Sequence, residues 1–273
     1  MKKLVARRLR NIGLFLLLAA GIVTAEFVWS VQLYRTPFIT GWILLILLVL
    51  LTSYTLRKKL PFLPLGSTST WLQFHIYAGL VSCVVFGLHT ECRIPNGVFE
   101  RLLAGLYLGV FLSGLVGLFL TRIIPPRLTS RGSEIIFERT PIIIKRIRDE
   151  VEQSVLNSVA DTGATAIQDI YLEHLKPFFE RPRNMLWHWL HSPRPSQALL
   201  QQIRWQQRFL KEDERAVMQT IAERVRVKND LDHQFALQAL LKFWLFVHLP
   251  LTYGLLVFAL FHAVVVYAFA GGS

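Results

Sequence analysis

Long apolar stretches are the feature that most limits what this chain can fold into. The sequence of 273 residues is 53% hydrophobic and only 18% charged, which is too apolar for an ordinary soluble domain. About 20 consecutive apolar residues can cross the roughly 30 Å hydrocarbon core of a bilayer as an α-helix. The stretches that meet this requirement are 12–31, 38–56, 71–90, 102–120 and 241–270. The sequence therefore predicts an all-α integral membrane protein with five transmembrane helices.

A long polar segment separates the fourth apolar stretch from the fifth. We expect residues 1–121 to hold transmembrane helices 1 to 4 and residues 122–240 to form a cytoplasmic helical segment. Residues 241–273 then hold transmembrane helix 5 and an external C-terminus. No glycine-rich phosphate loop or dinucleotide-binding fingerprint occurs in the polar segment, so no nucleotide site is predicted.

Within the polar segment, mixed apolar spacing predicts several helices. Proline-rich breaks are expected at 125–126 and 182–195. Residues 212–240 contain neither glycine nor proline. A single long helix is therefore expected to run from them directly into the fifth span.

The distribution of basic residues predicts the orientation in the membrane. Lys and Arg in short flanks are retained on the cytoplasmic side. The flanks assigned to the inside carry Lys2, Lys3, Arg7, Arg8, Arg10, Arg57, Lys58 and Lys59. The opposite connections carry only Arg35, Arg93 and Arg101. The N-terminus and the polar segment are thus predicted to be cytoplasmic, with a bacterial inner membrane as the simplest location. The net charge of +12 then reflects topology and gives little support to nucleic-acid binding.

Four of the eight histidines lie within apolar stretches and repeat one spacing. His75 and His89 are fourteen residues apart in the third stretch, and His248 and His262 are fourteen apart in the fifth. At about 100° and 1.5 Å per residue, this spacing returns a side chain to within roughly 40° of its starting direction after a rise of about 21 Å. Each helix is therefore expected to present two imidazoles on one face at two depths.

Matched imidazoles on two helices point to haem. An ionisable side chain inside the bilayer is costly and marks a functional site by default, and neutral imidazole is a good axial ligand for haem iron. The predicted topology makes the third and fifth spans parallel. Like depths then match, so His75 and His248 form an inner pair, and His89 and His262 form an outer pair.

The sequence thus predicts two haem b groups, each with bis-histidine ligation. Cys83 and Cys92 form no Cys-x-x-Cys-His motif, so non-covalent binding is expected. Interhelical hydrogen bonding is the plainer interpretation of the histidines. A proton path in a haem-free transporter or assembly protein is a further alternative.

Two helices of His-x13-His pattern, separated by one intervening span, resemble the two-haem cytochrome b of quinol:cytochrome c oxidoreductases. They are also similar to the membrane domain of ferric reductases and NADPH oxidases. The resemblance covers 71–120 and 241–270. It implies that the four histidines ligate haem iron and that the chain is the electron-transfer subunit of an oxidoreductase complex.

On this resemblance, electrons pass across the membrane between the quinone pool and a redox partner. The expected partner is a c-type, multihaem cytochrome or an iron–sulfur subunit. The quinol-site sequence Pro-Glu-Trp-Tyr and the flavin and nicotinamide domains are absent from this chain. A ferric or other metal reductase membrane subunit is therefore kept as the alternative.

A few charged or ligating residues lie outside the histidine pattern. Glu26 lies in the outer part of the first span, where ionisation is costly, and is a candidate quinone or proton group. An interfacial glutamate near a helix end is the plainer interpretation. His188 and His191 have a spacing that could grip a metal, although surface packing is the commoner cause. The candidate partners for haem propionates are Arg93, Arg101, Lys59 and Lys242.

Overall fold

The computed structural model describes residues 36–59, 67–129, 136–163, 166–189 and 194–270, together with a few positions between 10 and 24. Every element assigned within these ranges is helical. The α-helices, in chain order, are α1 (Thr36–Lys59), α2 (Thr68–His89), α3 (Val98–Thr129), α4 (Thr140–Thr162), α5 (Ala166–Ile170), α6 (Lys176–Phe179), α7 (Met185–Trp189), α8 (Arg194–Gln206) and α9 (Glu212–Ala270). Between them lie 3-10 helices at Phe137–Arg139 and Gln207–Phe209 and a π-helix at Tyr171–Leu175. Most of the predicted first span, 12–31, and Glu26 lie outside the described residues.

Four of these helices are long and apolar enough to cross a membrane, namely α1, α2, α3 and α9. They contain the second to fifth apolar stretches of the sequence. Large apolar side chains such as Leu112, Val257, Phe261 and Val264 are exposed on them. Lipid tails are as apolar as these side chains, so such faces are expected for helices in a bilayer.

Local signals define several helix ends. Ser67 is the N-cap of α2, and its side chain accepts a hydrogen bond from the Thr70 amide at 3.2 Å. Gly163 ends α4 in a left-handed conformation, with φ of +66°. Pro195 falls in the first turn of α8, where a missing amide hydrogen costs little.

The chain divides into two compact units. The first unit comprises Met1–Leu118 and Trp244–Ser273, and the second comprises Phe119–Phe243. Leu44, Val85 and Leu255 belong to the apolar core of the first unit. The core of the second unit is built from helical stripes, with members spaced three or four residues apart. These include Ile144, Ile147, Val151 and Val155 of α4 and Met218, Ile221 and Val225 of α9.

The proline breaks are only partly as predicted. The break at 125–126 is wrong, because α3 continues through Pro125 and Pro126 to Thr129. A proline inside a helix costs about 3 kcal/mol, but here Ile124 and Leu128 are buried against Leu237 in one apolar cluster. We attribute the continuation to this packing.

In the second predicted break, residues 182–184 are non-helical, whereas α7 lies within the expected gap. The prediction of one long helix running into the last span is confirmed. Helix α9 has 59 residues and passes through Pro250.

A buried ion pair fastens a loop of the second unit to α9. The Lys228 ammonium donates to Asp232 Oδ2 at 2.5 Å and to the Arg181 carbonyl at 2.9 Å. It also lies 4.2 Å from the centre of the Phe178 ring. Asp232 in turn accepts the Arg183 amide at 3.3 Å. Both charged side chains are almost completely buried, so each depends on the other for compensation.

We predict that removing either partner of this pair destabilises the protein strongly. Lys228→Met or Asp232→Asn leaves one buried charge uncompensated, which typically costs about 3–5 kcal/mol. The double substitution Lys228→Met with Asp232→Leu is expected to cost less than either single change. Chemical unfolding of the purified protein, followed by circular dichroism, measures these differences.

The half-exposed Arg224 and Glu150 pair, 3.2 Å apart, is the control. Arg224→Gln is expected to cost at most about 1 kcal/mol. Equal losses for Arg224→Gln and Lys228→Met would contradict the role given to the buried pair.

Candidate functional site

The two histidines of the outer pair meet between α2 and α9. The ring centres of His89 and His262 are 6.5 Å apart, and the ring planes are nearly perpendicular at 86°. His262 also lies 6.2 Å from the ring of Phe99 at the start of α3. The structure therefore brings together two imidazoles that are 173 positions apart in the sequence.

A backbone carbonyl fixes the orientation of His89. The Nδ1 atom lies 2.9 Å from the Pro37 carbonyl oxygen and 3.3 Å from Thr40 Oγ1. A carbonyl oxygen only accepts hydrogen bonds, so Nδ1 carries the hydrogen and Nε2 of the neutral ring keeps its lone pair. This is the arrangement found in histidines that bind a metal through Nε2.

Gly41 allows His89 to lie close to α1. A methyl group at this glycine would lie 3.1 Å from His89 Cε1, closer than ordinary van der Waals contact. The ring is thus held between the carbonyl of Pro37 and the bare backbone of Gly41 on one helix. Its position is set by main-chain atoms that no side-chain rotation can move.

A cavity of about 750 Å³ lies beside the outer pair and is lined by both His89 and His262. Cofactor and small-molecule sites typically occupy about 300–1,000 Å³ and are mostly apolar with a few polar groups. The apolar lining comes from α1, α2, α3 and α9 and includes Leu44, Leu48, Leu103, Tyr107, Leu255 and Val266. The charged or amide side chains in the lining are Arg93, Asn96 and Glu100.

The loop after α2 closes one part of this cavity with a strained backbone. Glu91 and Cys92 both have positive φ, near +50°, a conformation that residues other than glycine rarely adopt. The Cys92 amide donates to the Gly87 carbonyl at 2.8 Å, which holds the turn. Arg93 and Ile94 follow directly and line the cavity. Strain of this kind clusters at ligand sites, where the surrounding structure maintains it.

Contacts with α1 show that α2 and α9 run parallel in the first unit. One end of α1 meets both histidine helices near their C-terminal ends, through Gly41 beside His89 and Phe38 beside Tyr267. The C-terminal end of α1 contacts the same two helices at positions about fourteen residues earlier in their sequences. There Tyr54 lies 5.2 Å from the ring of His75, and Thr55 is hydrogen-bonded to Tyr253 at 2.7 Å. Both helices are therefore antiparallel to α1 and parallel to each other, as the sequence-based topology predicts.

His248 of the inner pair is held against α3. Its Nδ1 lies 3.2 Å from Ser113 Oγ, and the Trp244 ring stacks on it with centres 5.3 Å apart. The Trp244 indole in turn donates to the Ser113 carbonyl at 2.8 Å. Gly117 makes room for the indole, because a methyl group there would overlap the Trp244 ring. One serine and one tryptophan thus fix the plane of this imidazole.

The helix register places His75 and His248 at similar levels along the parallel helices α2 and α9. Tyr107 of α3 bonds to Ser82 of α2 at 3.0 Å, and Ser113 bonds to His248. Ser113 lies six residues after Tyr107 on α3. Because α2 runs antiparallel to α3, the same level on α2 lies six residues before Ser82, which is next to His75. His75 contacts Tyr54, and neither His75 nor His248 lines the cavity of the outer pair.

The other predicted residues have separate surroundings. His188 is buried in the second unit with its ring 5.6 Å from that of His233, and His191 lies outside the described residues.

Among the predicted charged residues, Arg101 donates to the Gly97 carbonyl at 3.3 Å. Lys242 donates to Glu138, which lowers the pKa of that carboxyl below its ordinary value. The side chain of Lys59 and all of Glu26 lie outside the described residues.

The outer pair is compatible with a haem. His89 and His262, whose ring centres are 6.5 Å apart, would be the residues that hold such a group from two helices. No group of three or more metal-ligating side chains occurs among the described residues. A haem would need only the two imidazoles from the protein, and Arg93 in the lining, which pairs with Glu91 at 3.4 Å, would offer its guanidinium to the haem carboxylates.

The residues that orient the histidines were not predicted from the sequence. Trp244 lies four positions before His248, the spacing at which helical side chains face each other, so this signal was present. Gly41, Ser113 and the Pro37 carbonyl carry no signal of their own in the sequence. Each acts on a histidine that belongs to another helix.

Comparison of the chain with known protein families, with curated proteins and with solved structures gives no match.

We predict that Gly117→Ala and Gly109→Ala, two substitutions in the same helix, have opposite effects. At Gly117 the added methyl overlaps the Trp244 ring, and overpacking of this kind typically costs about 1–3 kcal/mol. At Gly109 nothing lies within 4 Å of the added methyl, so the gain in helix propensity of about 0.5–1 kcal/mol is expected. Thermal unfolding of the detergent-purified protein measures both. Equal stability of the two variants would contradict the packing of Trp244 against Gly117.

Proposed function

We propose that this chain is a di-haem b-type cytochrome subunit that carries electrons across a membrane between the quinone pool and a redox partner. The observation that carries the proposal is the apolar cavity lined by His89 and His262. An apolar cavity of this size suits a porphyrin. Two imidazoles from different helices can serve as the protein ligands of a b-type haem.

The residues around the outer pair have distinct tasks in this proposal. Pro37 holds the hydrogen of His89 on Nδ1, which leaves Nε2 to bind iron. Phe99 packs beside His262 and limits its movement. The apolar lining excludes water, which strengthens electrostatic effects inside the cavity. When bound, haem supplies reversible one-electron chemistry.

Two levels of histidines along the same helices support transfer across the bilayer. The rise between the inner and outer pairs is about 21 Å, from fourteen residues of helix. Haems at both levels would cover most of the roughly 30 Å hydrocarbon core. The parallel course of α2 and α9 supports the pairing of His75 with His248 and of His89 with His262.

The cellular setting follows from the basic flanks of the spans. We propose a bacterial inner membrane, with a cytoplasmic N-terminus and an external C-terminus. The outer pair would then face an external partner, a c-type cytochrome or an iron–sulfur subunit. Glu26 of the first span is proposed as a group that accepts protons from quinol.

The test is the haem content of the protein and the way in which it titrates. Protein purified from haem-sufficient cells is expected to contain two b-type haems per chain. Acid–acetone should extract both, because no thioether motif retains them. In a redox titration, His75→Ala and His248→Ala should change one component, and His89→Ala and His262→Ala the other. The reason is that removing either ligand of one iron alters the same midpoint potential.

The control is His174→Ala, since His174 lies in the second unit beside Glu173 and is expected to leave both components unchanged. Stable protein without haem would reject the proposal in favour of a haem-free transporter or assembly protein. If His75→Ala and His262→Ala changed the same component, the parallel pairing would be wrong.

A further inference from the structure

In the second unit, the C-terminal end of α8 and the 3-10 helix that follows it, Gln207–Phe209, carry an exposed cluster of aromatic and basic side chains, which we call the basic aromatic surface. It consists of Arg204, Trp205, Arg208 and Phe209. Trp205 is 60% exposed and Phe209 is 77% exposed, with their ring centres 6.3 Å apart. The Arg208 guanidinium lies 5.1 Å from the centre of the Trp205 ring. Large apolar rings and cations are therefore presented together.

The opposite side of the same segment is anchored in the core of the second unit. Ile203 and Leu210, which flank the surface in sequence, are 1% and 5% exposed. Leu199 and Leu200 pack against the same core. Because this face is fixed, Trp205 and Phe209 cannot turn inward without unpacking it. Their exposure follows from the packing of Ile203 and Leu210 on either side of them.

The sequence around the surface carries basic residues and, between Glu180 and Glu212, no acidic ones. Residues 181–211 contain six Arg and Lys residues and no Asp or Glu. On the C-terminal side, acidic side chains begin at α9, where Glu212 and Asp213 are exposed and Glu214 is buried and accepts the Lys211 amide at 2.9 Å. A surface of this composition favours an anionic partner that can also accept apolar rings.

A membrane surface has both properties. Tryptophan rings settle at the level of the lipid headgroups, and basic residues are attracted to anionic lipids there. An amphipathic helix with Arg on its polar side and aromatic residues beside it binds in this interface. The second unit continues along the chain at both ends into helices that can cross a membrane, so a bilayer is always within its reach.

We propose that the basic aromatic surface docks onto the anionic lipid headgroups of the membrane that the chain itself spans. Trp205 and Phe209 insert at the headgroup level, and Arg204 and Arg208 pair with lipid phosphates. The docking fixes the second unit at the bilayer surface. The proposal is independent of haem binding, so either can fail without the other.

The test places a nitroxide label next to the intact surface. Gln201 is exposed one helical turn before Trp205. The label is attached at Gln201→Cys in a chain whose two native cysteines are replaced, by Cys83→Ala and Cys92→Ser. The control label is at Leu156→Cys, an exposed position of α4 in the same unit. Both chains are reconstituted in vesicles of phosphatidylcholine with or without phosphatidylglycerol. Electron paramagnetic resonance then measures collision with oxygen, which partitions into lipid, and with a water-soluble nickel chelate.

In vesicles with phosphatidylglycerol, the ratio of oxygen to chelate collisions is expected to be several-fold higher at position 201 than at position 156. The double substitution Arg204→Gln with Arg208→Gln should lower the ratio at 201 towards that at 156. A ratio at 201 equal to that at 156 would overturn the proposal. The proposal would also be overturned if the label at position 201 were as immobile in detergent as it is in vesicles. Protein, and not lipid, would then cover the surface.

Hydrogen exchange of residues 199–211 in the unsubstituted chain provides a second measurement that needs no cysteine. Slower exchange in vesicles with phosphatidylglycerol than in those without it is expected. Equal exchange in both would likewise overturn the proposal.

Discussion

The constraint on which the functional part of this structure depends is that an imidazole in an apolar environment must have a partner for each of its polar atoms. The protein meets half of this requirement for His89 with the carbonyl of Pro37 and for His248 with the hydroxyl of Ser113. In both rings the bonded atom is Nδ1. At His89 this leaves Nε2 available to a ligand, because a carbonyl oxygen only accepts hydrogen bonds. At His248 the bond to the hydroxyl keeps the ring from turning.

Close helix packing makes these contacts possible. Gly41 and Gly117 have no side chain where the His89 ring and the Trp244 ring press against the neighbouring backbone. Helix α1 contacts both α2 and α9, and α3 bonds to α9 through Ser113. The two histidine helices are thus aligned by their shared neighbours, and their equal spacing of fourteen residues produces two levels of imidazoles.

Local patterns made some of the architecture predictable. Four of the predicted spans and the uninterrupted helix α9 follow from apolar length and from the lack of glycine and proline in 212–240. The cavity was not predictable, because it depends on the turn at Glu91 and Cys92, where positive φ occurs without glycine. The continuation of α3 through Pro125 and Pro126 depends on Leu237, more than a hundred residues away. Likewise, the i, i+4 spacing of Lys228 and Asp232 is visible in the sequence, but Arg181, in the loop that they hold, lies 47 residues before Lys228.

The central claim is that His89 and His262 share one iron, and the spin state of that iron tests it most directly. Two imidazoles on ferric haem give a low-spin centre, whereas loss of one leaves an open position and a high-spin centre. Low-temperature electron paramagnetic resonance of the oxidised protein should show only low-spin haem in the unsubstituted chain. In His262→Ala, one of the two centres should become high-spin, and added imidazole should restore it. A His262→Ala spectrum identical to that of the unsubstituted chain would contradict the claim.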